Sequence, residues 1–242
     1  DLDRAHPRKK SRPIASGQVP LAAAVILGVV LLSAGLAGSY FLSFAFASGE
    51  MPSPGLAKVV AAYILLQGLY TFFCKQVAML DVLVIAAGFV LRALAGAAVL
   101  AVDISPWLVL CTFLLALFLG FCKRRHEKQQ VNGEASENRP SLARYDEKLL
   151  DQAIAICAAA TVVSYAVYTL SPDTVEKFGS ARLAFSIPFV IFGIFRYLDL
   201  VYRHEQGNKP ERLLLADKPL LLDIFLYAAV VLLVVVRSHA AG

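Results

Sequence analysis

The chain begins with two carboxylates followed by a run of bases, a combination suited to a metal-complexed diphosphate. Asp1 and Asp3 come first, and five basic residues follow by position 12. Carboxylate oxygens bind Mg²⁺, which bridges to phosphates, while Lys and Arg neutralise the remaining phosphate charge. A patch that bound only anionic lipid would need the bases alone. The segment therefore predicts diphosphate binding, and its bases are Arg4, Arg8, Lys9, Lys10 and Arg12.

A second mixture of bases and carboxylates occupies residues 123–152. Asp146 and Asp151 are five positions apart and would share a helix face poorly, so one of the two is expected to serve structure. The basic run at the start of the segment has an alternative interpretation as a cytoplasmic helix anchor. The candidate ligand-binding residues here are Lys123, Arg124, Glu127, Tyr145, Asp146 and Asp151.

Arg92 stands in the middle of a long apolar stretch, where an ionisable residue is costly and points to function. Asp81 lies eleven positions earlier, which is three helical turns and about 16 Å along nearly the same face. Gly88 and Gly96 each lie four positions from Arg92, a small-residue pattern typical of helix contacts. We interpret this face as one wall of a cavity that descends into the membrane. A structural ion pair with another helix is the alternative.

Other motifs favour structure over chemistry. Arg196, Asp199 and Arg203 are spaced as a salt-bridge ladder on a helix, with ligand binding as the second interpretation. The four cysteines form no CxxC pair and the histidines show no metal-ligand spacing, so neither a disulfide framework nor a zinc site is predicted. Aromatic residues are scarce among the bases, which argues against nucleic acid as a partner.

Seven apolar stretches must position these side chains. Hydrophobic residues make up 58% of the 242 residues and charged residues 17%, which excludes a disordered chain, a disulfide-rich secreted module and a soluble enzyme. A bilayer core needs about 20 helical residues, and backbone groups in lipid must be bonded internally. We predict an all-α bundle of seven membrane-spanning helices, at residues 21–46, 56–73, 82–102, 106–122, 153–170, 183–201 and 220–236.

Basic residues are unevenly distributed between the two ends of the predicted helices. Seventeen of the 23 Lys and Arg residues lie in segments 1–20, 74–81, 123–152 and 202–219. The positive-inside rule places these segments in the cytoplasm. The connections at the opposite end carry four bases, which are Lys58, Lys177, Arg182 and Arg237.

Taken together, these motifs resemble the UbiA-type intramembrane prenyltransferases, and within them most closely the decaprenyl-phosphate phosphoribosyltransferases. The segment from Asp3 to Pro7 resembles the end of the first aspartate-rich motif, NDxxDxxxD. The order of the later signatures, rather than any single one, makes the resemblance specific, and it covers essentially the whole chain. These later signatures contain Lys75, Asp81 and Arg92, then Lys123, Arg124, Glu127, Tyr145 and Asp151, and finally Arg196 and Asp217.

The resemblance implies one domain over residues 1–242, with the second aspartate motif in the 123–152 loop. That family has nine helices, so the chain is expected to lack the first two helices and the first motif aspartates. A multi-pass location in the plasma (inner) membrane, with the active site facing the cytoplasm, is also implied.

The implied reaction transfers 5-phosphoribose from phosphoribosyl diphosphate to a polyprenyl phosphate and releases diphosphate. Asp3, Asp81 and Asp151 are the expected catalytic residues, with Asp3, Asp151 and less surely Asp146 as Mg²⁺ ligands. Substrate binding is assigned to Arg4, Lys9, Lys10, Arg12, Lys75, Arg92, Lys123, Arg124, Glu127, Tyr145 and Arg196.

Three alternatives stay open at this point. The first is an aromatic prenyltransferase that uses a prenyl diphosphate donor, although the density of bases argues modestly against a donor with a single diphosphate. The second is a transporter or lipid-binding scaffold without chemistry. The third is an inactive fragment.

Overall fold

The described part of the chain is built from α-helices. The computed structural model describes residues 13–14, 16–45, 55–100, 102–130, 144–203 and 216–240. Short 3₁₀ helices at Cys74–Gln76 and Ala181–Ser186 precede α3 and α7. The α-helices are α1 Leu21–Ala45, α2 Gly55–Phe72, α3 Leu80–Leu100, α4 Pro106–Gln130, α5 Glu147–Leu170, α6 Pro172–Phe178, α7 Ile187–Arg203 and α8 Lys218–Ala240.

Seven of these segments are long and apolar enough to cross a membrane, and they follow the seven predicted stretches in order. The α7 span includes the preceding 3₁₀ helix, whereas α6 is too short to be one of the seven. Within the described residues there is no β-strand. The predicted all-α membrane bundle is therefore confirmed, and the chain is a multi-pass membrane protein.

The expected loop at residues 123–152 differs from the structure at both ends. Helix α4 continues to Gln130, and α5 already begins at Glu147. The polar side chains after Cys122 end the apolar stretch without ending the helix, because no Gly or Pro follows before Gln130 and the i,i+3 ion pair of Arg124 with Glu127 supports the last turns. Hydropathy marks where a helix leaves the apolar layer, which is a different point from where the helix ends.

Contacts between Cα atoms divide the chain into two compact units. The first comprises Asp1–Leu65 and Leu94–Val102, and the second comprises Leu66–Ala93 and Asp103–Gly242. In the first unit, α1 exposes large apolar side chains along its length, as a helix in lipid can do without cost, since lipid tails are themselves apolar.

The second unit contains a continuous apolar core formed by α3, α4, α5, α7 and α8. Phe118 on α4 and Tyr197 on α7 meet edge to face, with ring centroids 5.5 Å apart. Ile154 on α5 and Leu220 on α8 are buried in the same cluster. This packing fixes these five helices relative to one another, and the charged residues of the candidate site lie towards their ends.

Candidate active site

Among the described residues of the second unit, the most deeply buried charge is that of Asp81, in the first turn of α3. Its side chain has no exposed surface, and its Oδ2 accepts a 2.8 Å hydrogen bond from Nε of Arg124 on α4. Arg124 also donates from Nη1 to Oε2 of Glu127 at 2.6 Å. The structure thus brings together three residues that the sequence assigned to the site, and it joins α3 to α4 through a buried ion pair.

Tyr145 completes this cluster from the segment just before α5. Its hydroxyl donates to Oδ1 of Asp81 at 2.5 Å and accepts from the backbone N–H of Met79 at 2.7 Å. Burial, with the hydrogen bond to Asp81 as the next cause, raises the pKa of the Tyr145 phenol well above its usual range. The hydroxyl therefore stays protonated and keeps donating at any physiological pH.

Met79, which donates its N–H to the Tyr145 hydroxyl, has an unusual backbone conformation. Its φ of 68° lies in the left-handed region, which is uncommon for a residue with a side chain. The turn carries the chain from the Cys74–Gln76 helix into α3. The Tyr145 hydroxyl therefore bonds to two parts of this region. It accepts from the Met79 N–H in the turn, and it donates to the Asp81 carboxylate in the first turn of α3.

A glycine allows the close approach of α3 and α4 that the Asp81–Arg124 pair requires. A Cβ atom built on Gly120 would lie 2.6 Å from Cγ1 of Val82. Gly120 is one turn before Arg124, and Val82 follows Asp81 directly. The helices therefore touch at the level of the ion pair because position 120 carries no side chain.

A second cluster surrounds Asp151 on α5. Its Oδ1 accepts from Nε of Arg125 at 2.7 Å and from the Tyr202 hydroxyl at 2.8 Å. The Arg125 guanidinium also lies 4.0 Å from the centre of the Tyr202 ring, a cation–π arrangement. Asp151 remains 43% exposed, so this cluster is accessible where the Asp81 cluster is not.

A third cluster forms around Arg196 on α7. Its guanidinium donates to both carboxylate oxygens of Asp217, at 3.1 and 2.7 Å, and from Nη1 to Asp199 at 3.0 Å. Arg203 pairs with Asp199 at 2.6 Å, so the predicted ladder is confirmed. Asp217 also accepts from the Leu220 N–H at 2.9 Å and thereby caps α8.

Other predicted residues lie apart from these clusters. Lys75 and Lys123 are exposed, and neither makes an ion pair in the described part of the chain. Asp146 is exposed and precedes α5, where its carbonyl accepts from the Leu150 N–H at 3.0 Å. Arg92 lies 5.1 Å from the Phe89 ring centre and is exposed, so it does not join Asp81.

The expected amino-terminal site lies outside the described residues. It consists of Asp3, Arg4, Lys9, Lys10 and Arg12. Within the described ranges, no group of three or more His, Cys, Asp or Glu side chains could hold a metal ion. The carboxylates of these ranges that approach one another are engaged by arginines, so this part of the chain does not by itself fit a metal.

Two partners of Asp151 in the candidate site, Arg125 and Tyr202, were missed from the sequence. Arg125 lies within a run of three bases, of which the first two were assigned to the site. Tyr202 follows the sixth apolar stretch and carries no motif. Successive helical residues point about 100° apart, so the run could not act as one unit. The helix continuing through position 130 is the signal that would have separated Arg125 from its neighbours.

An apolar cavity of about 360 Å³ opens between α4, α5, α7 and α8. Asp223 lies in its wall and is 7% exposed. A Cβ atom on Gly193 would approach the Asp223 carboxylate to 3.0 Å, so the glycine leaves room for it. The Tyr165 hydroxyl, also in the wall, is hydrogen-bonded to Ser186 at 2.7 Å and to Tyr227 at 3.2 Å. The space is suited to an apolar chain.

Comparison with known proteins decides the family. The profile of the UbiA prenyltransferase family matches residues 1–228. The chain belongs to this family. It is therefore a membrane-embedded transferase, and members of this family generally depend on a divalent metal.

Curated relatives give a more specific likeness. The chain is 33% identical over 227 residues to a decaprenyl-phosphate phosphoribosyltransferase of Mycolicibacterium smegmatis, covering 91% of this chain and 68% of that protein. It is 32% identical to the enzyme of that name from Corynebacterium glutamicum, covering 91% and 64%. For the Mycobacterium tuberculosis enzyme the identity is 31%, covering 96% and 72%.

Proposed function

We propose that this protein transfers 5-phosphoribose from phosphoribosyl diphosphate to a polyprenyl phosphate, with release of diphosphate, as a step in making cell-envelope polysaccharide precursors. The observation that carries this proposal is the similarity to three enzymes of that name over nine tenths of the chain or more. The decaprenyl chain in their names supports a long polyprenyl acceptor. The uneven distribution of bases supports a plasma-membrane orientation with the charged end facing the cytoplasm.

The reaction requires charge stabilisation more than proton transfer. An oxygen of the lipid phosphate attacks C1 of the ribose, and the bond from C1 to the diphosphate oxygen breaks, so that the electron pair leaves with diphosphate. The attacking oxygen is already anionic, and no proton moves in the step. Preorganised cations near the leaving group are the main means of lowering such a barrier.

The described residues supply such cations in two forms. Lys75 and Lys123 are exposed bases without ion pairs in the described ranges and are proposed to contact phosphates directly. Arg125 and Arg196 are oriented by carboxylates and keep N–H groups that can donate to phosphate. Asp81 is fully buried against Arg124, which favours a positioning role for it over direct contact with substrate.

Magnesium is part of the proposal through the amino-terminal segment. Asp3 would be the principal ligand, and Asp151 a second. The Arg125 and Tyr202 contacts of Asp151 offer it another role, which is to orient Arg125. The two roles differ in one measurable respect, the concentration of Mg²⁺ that gives half-maximal rate.

The decisive assay measures diphosphate release by the protein in membranes, with phosphoribosyl diphosphate, polyprenyl phosphate and Mg²⁺. We expect release that requires the lipid and is abolished by EDTA. If release occurs instead with a prenyl diphosphate donor and an aromatic acceptor, the aromatic prenyltransferase alternative is correct. If a folded protein releases nothing with either pair, the proposal fails.

A pair of variants assigns Asp151. Asp151→Asn and Arg125→Gln each break the same ion pair. If Asp151 binds the metal, only Asp151→Asn raises the Mg²⁺ requirement. If Asp151 acts by orienting Arg125, both variants lower the rate similarly at an unchanged Mg²⁺ requirement.

A further inference from the structure

A second cavity lies at the opposite end of the second unit, where the sequence has few bases. It has a volume of about 830 Å³ and is bordered by α6, the Ala181–Ser186 helix and the carboxyl-terminal half of α8. Gly179 ends α6 with a φ of 64°, a conformation that suits glycine. The turn brings the end of α6 and the following 3₁₀ helix to the same cavity.

Three basic residues share this cavity. Lys177, Arg182 and Arg237 line it, and they are three of the four bases assigned to this end of the helices. None of the three makes an ion pair in the described part of the chain. Glu176 is the single acid of the lining. The cavity therefore carries a net positive charge without an internal partner.

The wall of the cavity is apolar. Phe185 is 72% exposed and Leu233 on α8 is 59% exposed, and both line the space between the bases. Val234, one residue further, is buried against the unit. A ligand that matches this cavity combines a negative charge with an apolar body, because bases and apolar side chains line the same space.

We propose that this cavity binds an anionic phospholipid. Its phosphate lies among Lys177, Arg182 and Arg237, and an acyl chain runs along Phe185 and the exposed face of α8. Basic pockets between membrane helices bind anionic lipid headgroups, and here the apolar wall would take the acyl chain. The lining of this cavity includes none of the residues proposed for transfer. The lipid proposal can therefore be tested independently of the proposed function.

Lipid retention tests this proposal. The protein, purified in detergent, is incubated with equal amounts of phosphatidylglycerol and phosphatidylcholine of identical acyl chains, and the bound lipid is weighed by native mass spectrometry. We expect phosphatidylglycerol to be retained in preference. The variant Lys177→Gln/Arg182→Gln/Arg237→Gln should lose at least about tenfold of that preference, since each base near the surface contributes roughly fivefold.

Two controls separate the site from general effects. Lys58→Gln removes the remaining base of this end without touching the cavity and should keep the wild-type preference. The charge-conserving variant Lys177→Arg/Arg182→Lys/Arg237→Lys should keep most of the preference for phosphatidylglycerol. A loss that is confined to the glutamine variant then follows from the missing charges and not from substitution at these three positions. Equal retention of both lipids by the wild type, or an unchanged preference in the glutamine variant, overturns the proposal. Full displacement of the lipid by inorganic phosphate also overturns it, because the site would then recognise phosphate alone.

Discussion

Tyr145→Phe isolates the role of a single hydroxyl in the buried Asp81 cluster. The phenylalanine ring fills the same space, so the packing of Tyr145, which is 1% exposed, is preserved. What disappears is the hydrogen bond to Asp81 and the acceptor for the Met79 N–H. The perturbation is therefore confined to polar contacts that connect the segment before α5 with the start of α3.

The expected cost follows from the charge and burial of the two partners. A hydrogen bond to a charged group contributes roughly 1.5–3 kcal/mol, and a buried N–H without an acceptor costs about 1–3 kcal/mol. Met79 has a φ of 68°, and relaxation of this turn in the variant would relieve part of the second cost. We expect the free energy of unfolding to fall by about 2–4 kcal/mol.

Equilibrium unfolding in mixed dodecyl maltoside and SDS micelles measures this change. The matched control is Tyr202→Phe, which removes one hydroxyl from the 43%-exposed carboxylate of Asp151. A hydrogen bond at such a site contributes about 1 kcal/mol or less. If Tyr145→Phe destabilises the protein no more than Tyr202→Phe does, the Asp81 cluster does not hold these elements together and the reasoning is wrong.

Three further predictions test the remaining packing and charges. Gly120→Ala should cost about 1–3 kcal/mol, because its Cβ would overlap Val82; an unchanged unfolding midpoint in SDS would show that the helices separate freely. Cys122 is fully buried and Cys74 is partly exposed, so maleimide should label Cys74 first in the folded protein, and the reverse order would contradict the packing of α4. Arg196→Lys should lower the transfer rate at least about tenfold, since lysine cannot form the bidentate contact with the Asp217 carboxylate. A wild-type rate would exclude Arg196 from the site.

The membrane-spanning helices were predictable because one physical requirement produces each of them. A segment that crosses lipid must be apolar for about 20 residues and must satisfy its own backbone, and both conditions are visible in the sequence. The carboxyl-terminal end of α4 and the start of α5 were not predictable in this way, because a helix that leaves lipid can continue in water. Residues 123–130 show this, being polar and helical at once.

The candidate site was predictable in composition and less so in pairing. Asp81, Arg124, Glu127 and Tyr145 were all selected from the sequence, and the structure joins them in one cluster. Both partners of Asp151, Arg125 and Tyr202, were missed. Pairings of this kind depend on the rotation of each helix about its axis, which is set by packing such as the Gly120–Val82 contact. The rotation of each helix about its axis cannot be read from the apolar pattern of a single sequence.

The pairing of carboxylates with arginines changes what the acidic residues can do. A free carboxylate near a diphosphate repels it, whereas a carboxylate bound to a guanidinium leaves a nearly neutral pair that still has N–H groups to donate. Asp151 with Arg125 is such a pair. Asp199 and Asp217 are balanced in the same way by Arg196 and Arg203. Excess positive charge then comes from exposed lysines such as Lys123. Removing an acid should therefore act mainly by disordering its arginine, and any gain in phosphate binding from the lost negative charge should be the smaller effect. This is why Asp151→Asn and Arg125→Gln are expected to resemble each other unless a metal ion also binds Asp151.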